Sequence, residues 1–384
     1  MAVADVLIVG AGAAGSACAA ELREQGFGGS VVLVGREPEP PYERPFLSKD
    51  YMRGALDRPG TYLPVPADVD LRERTSVMKL DPAARRATLS GGDEVSYEHA
   101  LLATGANVRR LRVDGGQLDG IHYLRALANA DAIRAEAENV ERVVLVGGSY
   151  IACEVAATLT GLGKQCTLIM QEETPMSTGF GDAVGRFVGG LLRDHGIEWR
   201  GADPLERFEG ESRVERVVTA SGASLEADMV VMGTGAVPDV MLARSAGLAL
   251  GETGGVACDA GLRTSADRLW AAGDPCEYDS VIHGRRLRVE HFEVARAQGA
   301  HAARAMLGDG DPYRELPYFW TDLGDWLTLE YVGPAERWDR EELRGSFEDG
   351  AFAVLYYAGE RLVAALAANR PDDLEEARAA LAAA

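Results

Sequence analysis

The stretch Val6-Leu7-Ile8-Val9-Gly10-Ala11-Gly12-Ala13-Ala14-Gly15 leaves this chain few ways to fold. Four consecutive apolar residues read as a buried parallel strand, and the glycines at 10, 12 and 15 then open a helix running to about Gln25. Gly10 allows the tight turn, and Gly12 lets backbone N–H groups approach a pyrophosphate. Gly15 lets helix and strand pack closely, with the helix N-terminus facing the phosphates. A second strand, Val31–Val34, completes a strand–helix–strand frame. Glu37, 22 residues past Gly15, stands where an acid would hold a ribose. Arg36, one place nearer the strand, would either crowd a bare ribose or meet a phosphate. A lone glycine fingerprint is a weak signal; inside this frame it is a dinucleotide-binding turn.

The plan repeats. Val143-Val144-Leu145-Val146 runs into Gly147-Gly148-Ser149-Tyr150-Ile151-Ala152, then a helix through Thr160. Ser149 and Ala152 stand in for two glycines, both small enough for close backbone approach. The next strand, Cys166–Met170, is followed by Glu172, 20 residues past Ala152, and no Arg or Lys lies between Gln165 and Gly185. A 2′-phosphate would need one there, so the second nucleotide reads as NADH rather than NADPH. Two such turns 137 residues apart cannot serve one site, so the chain binds two nucleotides.

Further strands end in turn chemistry: Ala100–Gly105 in Ala103-Thr104-Gly105, Val230–Met232 in Gly233-Thr234-Gly235, and Arg268–Ala272 in Gly273-Asp274. Asp274 would accept a hydrogen bond from a polyol hydroxyl or simply cap a turn. A helix follows from about Glu293 to Met306, its N-terminus aiming positive charge at the crevice. Between Gly35 and Lys49 the prolines at 38, 40, 41 and 45 rule out helix and central strand, leaving a rigid loop with Arg44 and Lys49 as its cations. From Asp311 the texture changes: an aromatic, proline-bearing segment, strands near 327–332, 350–357 and 361–366, and a helix over 373–383.

The 384 residues are enough for about two to three domains. A net charge of −21 argues against nucleic acid and anionic membranes as partners. The five cysteines, at 18, 153, 166, 258 and 276, form no CxxC and no metal-ligand spacing, which reads as reduced thiols in the cytoplasm. No apolar run is long enough to span a bilayer.

These pieces in this order resemble the FAD- and NADH-dependent ferredoxin and rubredoxin reductases, a family related to apoptosis-inducing factor. The matches are Gly10–Gly15, Pro41-Tyr42-x-Arg44-Pro45-x-Leu47-Ser48-Lys49, Ala103-Thr104-Gly105, Gly147-Gly148-x-Tyr150-Ile151 with Glu154, Ala272-Gly273-Asp274 and Pro317-Tyr318-Phe319-Trp320. They run from about residue 4 to 346, with little in the tail. Phe46 replaces the family's second proline, Ser149 and Ala152 replace glycines, and Arg36 takes a place usually acidic, with Glu37 as substitute.

The resemblance implies an α/β fold with two Rossmann-like domains in a glutathione reductase-like arrangement and a small C-terminal α+β domain. The expected division is 1–113 with 236–310 for FAD, 114–235 for NAD(H), and 311–384. It further implies FAD contacts from Ala14, Lys49, Val77, Arg125, Asp274 and Phe292, with Arg44 and Pro45 along the flavin and Lys49 and Glu154 meeting near its N5 edge as the catalytic pair. Gly10, Gly12, Ala13, Gly15, Glu37, Ala103, Thr104, Gly105, Gly273 and Trp320 complete the FAD set. Gly147, Gly148, Ser149, Tyr150, Ile151, Glu172 and Gly235 would serve NADH.

Hydride would pass from nicotinamide C4 to flavin N5 and, with no CxxC, leave as electrons for a small iron–sulfur protein, a ferredoxin or rubredoxin. The strip Arg285-Arg286-x-Arg288 is either its dock or a solvated loop. Rival readings are an NADH oxidase or quinone or dye reductase without a protein partner, and a redox-sensing protein like apoptosis-inducing factor. The chain would be a monomer or homodimer, with no metal site.

Overall fold

A computed structural model describes residues 2–335 and 337–383. Its helices are α1 (Ala13–Glu24), α2 (Leu127–Ala137), α3 (Tyr150–Gly161), α4 (Ser177–Asp194), α5 (Met241–Ser245), α6 (Phe292–Met306) and α7 (Pro371–Ala383); strands are given by range. The first sheet has Ala2–Val9 at its centre, with Val31–Val34 parallel on one side and Glu94–Leu102 parallel on the other. The carboxyl half of Glu94–Leu102 also pairs with Leu269–Ala271, which returns from far along the chain. Val6 to Val9 are all buried, as a strand covered on both faces demands.

The second sheet is wholly parallel, in the order 198–200, 165–169, 142–146, 229–232 and 121–123. Two short antiparallel strands, Ala106–Val108 and Ala236–Pro238, carry the chain out to it and back. The third sheet is antiparallel and five-stranded, in the order 318–323, 327–332, 361–368, 351–358 and 340–346. Alternation along Ala351–Ala358 sends Ala353 and Leu355 to the α7 side. Phe352, Val354 and Tyr356 join an apolar cluster shared with α3, α4 and the 42–52 segment. Tyr356 Oη donates to the Phe180 carbonyl (2.8 Å), where α4 is broken at Gly181.

Tyr318–Leu323 and Arg340–Ser346 are strands absent from the sequence reading. The second is a charged edge strand, and such edges carry little apolar alternation to read. The proline loop contains a 3₁₀ turn, Arg44–Ser48. Among the described residues no helix is long and apolar enough to cross a membrane.

Candidate active site

Strand register builds the first half of the site. Val9 pairs with Val34 and with Leu102, and Leu102 pairs with Ala271. The strands therefore end level, and Gly10, Gly35–Glu37, Ala103–Gly105 and Gly273-Asp274 share one crest. Gly10 (φ +118°) turns where a Cβ would overlap the Ala103 carbonyl, whereas a Cβ on Gly12 would meet nothing within 4 Å. The α1 N-terminus has no side-chain cap, so no side chain of its own takes up the leading N–H groups. Free donors, room and helix polarity together fit a dinucleotide pyrophosphate.

Behind this turn Gly15 sits against the Gly10 carbonyl and Ala14 against Gly299 of α6, with no space for larger residues. Gln298, buried on α6, accepts from the Gly273 N–H (2.8 Å) and so fixes the turn that presents Asp274. Val77 stands two residues beyond Thr75, whose N–H bonds to Gly35.

A polar chain crosses the crest. Tyr42 Oη donates to Glu37 Oε2 (2.5 Å), Arg44 pairs with the other Glu37 oxygen, and Arg44 also donates to the Arg125 carbonyl (2.6 Å). Arg125 in turn pairs with Asp274 (2.7 Å). Burial would raise the Glu37 carboxyl, but Arg44, the bonds from Arg44 and Tyr42, and then Arg36 outweigh it and hold it below its ordinary value. Glu37 is thus an ionised acceptor with lone pairs to spare. Arg36 makes its hydrogen bonds elsewhere, donating to Asp239 and Asn107 (2.9 Å each) on the two connecting segments, and reaches Glu37 through its charge alone.

The second crest repeats the geometry. Val146 is level with Ile169 and Met232. Gly147 (φ +124°) turns against the Gly233 carbonyl, and a Cβ on Gly148 would run into Met170 and the Glu172 carboxylate. Ala152 is tolerated in place of a glycine because the residue facing it is Gly233, which has no side chain to collide with. Ser149, exposed, leaves α3 without a side-chain cap, and Ile151 is exposed beside it. Thr234 Oγ1 bonds to Arg109, whose N–H bonds to Gly235.

The two halves and the third sheet meet at Glu154. This carboxylate, 4% exposed on α3, accepts from Ser48 Oγ (2.5 Å) and Thr321 Oγ1 (2.7 Å) and lies 3.3 Å from Lys49 Nζ. Thr158 Oγ1 donates to the Ser48 carbonyl (2.7 Å) and pins α3 to the 3₁₀ turn. Burial pushes the Glu154 carboxyl above its ordinary value; Lys49, Ser48 and Thr321 pull it back only in part. Lys49 lies 5.3 Å from the centre of the Trp320 ring and 2.9 Å from Asp322 Oδ2. Lys49 and Glu154 are thus a buried pair and no surface salt bridge.

Beside them Tyr150 packs on Phe319 and Phe180 (5.0 and 5.3 Å between ring centres). His291, just before Phe292 at the start of α6, lies 4.1 Å from Phe319, and burial holds it down at about 4, hence neutral. Tyr42, Ser48, Gln298, His291, Thr321 and Asp322 have no role in the sequence reading. Tyr42 and Ser48 lie inside the proline loop that signals the site, and Thr321 and Asp322 directly follow Trp320.

In the Arg285–Arg288 strip, Arg286 pairs with Asp279, Arg288 with Glu290, and Arg285 donates to the Pro334 carbonyl. The cysteines are all free and buried, as the sequence reading expects, and Cys258 and Cys276 touch, a dithiol no local spacing announces. Burial, then Cys258, pushes the Cys276 thiol well up, and both stay sealed in the core.

Residues 4–299 match the family described as pyridine nucleotide-disulphide oxidoreductase, and residues 318–384 match the reductase C-terminal family, so the likeness includes the tail in which the motifs are silent. Rhodocoxin reductase of Rhodococcus erythropolis is 32% identical over 98% of this chain and 89% of its own. The 5,5'-dehydrodivanillate O-demethylase ferredoxin reductase subunit of Sphingobium sp. is 35% identical over 98% and 92%. Among solved structures, the ferredoxin reductase for the CYP199A2 system of Rhodopseudomonas palustris superposes with a TM-score of 0.92 at 30% identity, covering 96% of this chain and 92% of that one. The reductase in the covalent putidaredoxin reductase–putidaredoxin complex gives 0.93 at 31%, covering 100% and 94%.

Proposed function

The chain belongs to the pyridine nucleotide-disulphide oxidoreductase family, and from that footing we propose an NADH-dependent flavoprotein reductase that passes electrons through FAD to a small iron–sulfur protein of an oxygenase system. Relatives named as ferredoxin reductase components of oxygenase systems support the acceptor class. The working division is 1–113 with 236–310 for FAD, 114–235 for NADH, and 311–384 as the C-terminal unit. Five free buried thiols favour a reducing compartment, the cytoplasm.

FAD, when bound, supplies a carrier that takes two electrons together and gives them up singly. The rest is orientation and electrostatics from the chain. Donors at the start of α1 hold the pyrophosphate, Glu37 takes the adenosine ribose, and Asp274, steadied by Arg125 and Gln298, takes the polyol. The uncapped start of α3 receives the NADH pyrophosphate, with Glu172 on the adenosine side. Lys49 holds a positive charge where negative charge arrives, helped by the N-terminus of α6. Glu154 keeps Lys49 from swinging out, and Tyr150 and Ile151 line the edge by which the nicotinamide comes in.

The observation that carries this reading is the buried Lys49–Glu154 pair, because it joins the two nucleotide crests at one place. A buried cation without its carboxylate would be costly. Rapid mixing of the FAD-loaded protein with NADH and NADPH tests it. Flavin colour should bleach with NADH and return on adding an oxidised [2Fe–2S] ferredoxin. A protein that holds no FAD, or whose flavin NADH leaves oxidised, refutes it.

A further inference from the structure

A cleft lies where the FAD half meets the third sheet, away from both nucleotide crests. Its walls are the turn between strands 276–280 and 285–288, the chain just after strand 327–332, the start of strand 361–368 and the end of α7. The space amounts to about 310 Å³, the scale of one small molecule. Its polar lining is His283, Arg285, Arg337 and Arg361. Its apolar lining includes Pro334, Leu362, Val363 and Leu381.

Arg285 is held on the Pro334 carbonyl (2.8 Å). Arg361 reaches the Ile282 carbonyl at 3.5 Å. Among the described residues neither Arg337 nor Arg361 is paired with a carboxylate. In a chain with 60 acidic residues against 39 basic ones, two such guanidiniums in one cleft set a positive potential against the overall charge. His283 adds a donor. Ser280 Oγ accepts from the His283 backbone N–H (3.3 Å) and lies 3.0 Å from Nδ1. The Ser280 hydroxyl therefore donates to Nδ1, which assigns the ring proton to Nε2. Burial, then Arg285 and Arg361, hold this imidazole down at about 4, so it is neutral. Its Nε2 is shut from bulk water and has no partner among the described residues, an arrangement that is costly until an acceptor arrives.

A carboxylate matches the planar fork of an arginine and accepts from an imidazole N–H. The apolar part of the lining calls for a carbon body behind that carboxylate. A hydrated inorganic anion would leave the apolar lining unmatched, and a carboxylate on a protein surface would stop at the rim of so small a space. We propose that this cleft binds a small organic acid, one carboxylate on an apolar body, recognised by Arg337, Arg361 and His283. The acid bridges the FAD half and the third sheet and so tightens their contact, with no part in the chemistry at Lys49 and Glu154.

Benzoate is the probe, titrated into FAD-loaded protein by calorimetry, with benzyl alcohol and inorganic phosphate alongside. One site per chain should appear with a Kd below about 10 mM, the weakest affinity that ordinary ligand efficiency gives a molecule of this size. Benzyl alcohol lacks the charge and phosphate the carbon body, so each should bind more weakly by about tenfold or more. Arg361→Gln and Arg337→Gln should each weaken benzoate by about tenfold, and Arg361→Lys by less. Both arginines are exposed, so without benzoate these variants should melt with the wild type; with benzoate the wild type should gain more in Tm. The flavin spectrum should stay as it is. Lack of saturable binding, equal binding of benzyl alcohol or phosphate, or undiminished affinity in both arginine variants overturns the proposal. So does a benzoate-induced shift of the flavin spectrum, which would put the acid in the nucleotide crevice. Binding is read without turnover, so a flavin that NADH fails to bleach would sink the reductase reading and leave this result standing.

Discussion

Gly233→Ala isolates the reason why a glycine fingerprint works with an alanine in it. A methyl on Gly233 would lie 2.8 Å from Ala152 Cβ and 3.2 Å from the Ala152 nitrogen, well inside ordinary contact. Ala152 is core, 1% exposed, and the nearest atoms are its Cβ and its backbone, so the neighbours cannot step aside cheaply. Overpacking of this kind costs about 1–3 kcal/mol. Ala152→Gly loses one buried methyl and places a glycine in a helix, together about 1–2 kcal/mol. Independent effects would sum to about 2–5 kcal/mol. The structure predicts otherwise: in the double variant, loss of the methyl at position 152 removes the tightest contact, leaving those with the backbone nitrogen and Cα of residue 152, and the total should fall most of the way back toward that of Ala152→Gly alone. The coupling is then about 1–3 kcal/mol, the range for residues in direct contact. Urea unfolding of the four proteins, followed by NAD⁺ binding to each, measures it. Single-variant costs that simply add, or a harmless Gly233→Ala, would refute the account.

Burial holds His283 and His291 down at about 4, while an unfolded chain takes up those protons near the ordinary histidine value. Their contribution to stability is present above about 6.5 and is lost as pH falls from there toward 4. Glu154, with its raised value, pulls the opposite way, so the reading to take is the difference between wild type and His283→Gln in urea midpoints between about pH 7.5 and 4.5. The variant should show the shallower decline, and parallel curves would refute it. For the nucleotide, Glu172→Arg should raise the ratio of kcat/KM for NADPH over NADH by about tenfold, the worth of roughly 1.4 kcal/mol of new charge pairing. An unaltered ratio in steady-state assays would remove Glu172 from the adenosine end.

The two nucleotide crests are legible because their physics is local: a strand, a turn that only glycine makes, and a helix start lie close together in the chain. Lys49 and Glu154 are legible only through family likeness, since nothing near either residue announces a partner 105 positions away. Asp322 escapes notice because its carboxylate gains meaning only when the 318–323 strand is laid across α3. Arg36 reads in sequence as a matter for the ribose, yet its long side chain reaches the connecting strands, a choice set by where Asp239 and Asn107 fall in space. The Cys258–Cys276 contact follows from strand pairing between Val256–Cys258 and Cys276–Ser280, which no thiol spacing encodes.

The clasp between Tyr356 and the broken turn of α4, together with the Thr321 hydroxyl on Glu154, bears on how such proteins can be recombined. Grafting a foreign tail onto this chain at the 311 boundary would exchange more than a surface for recognising redox partners. The donor segment would also have to bring a hydroxyl and a carboxylate to the floor of the reaction chamber and a phenol to the broken helix. A hybrid lacking any of these would retain both nucleotide pockets and still be miswired where they join.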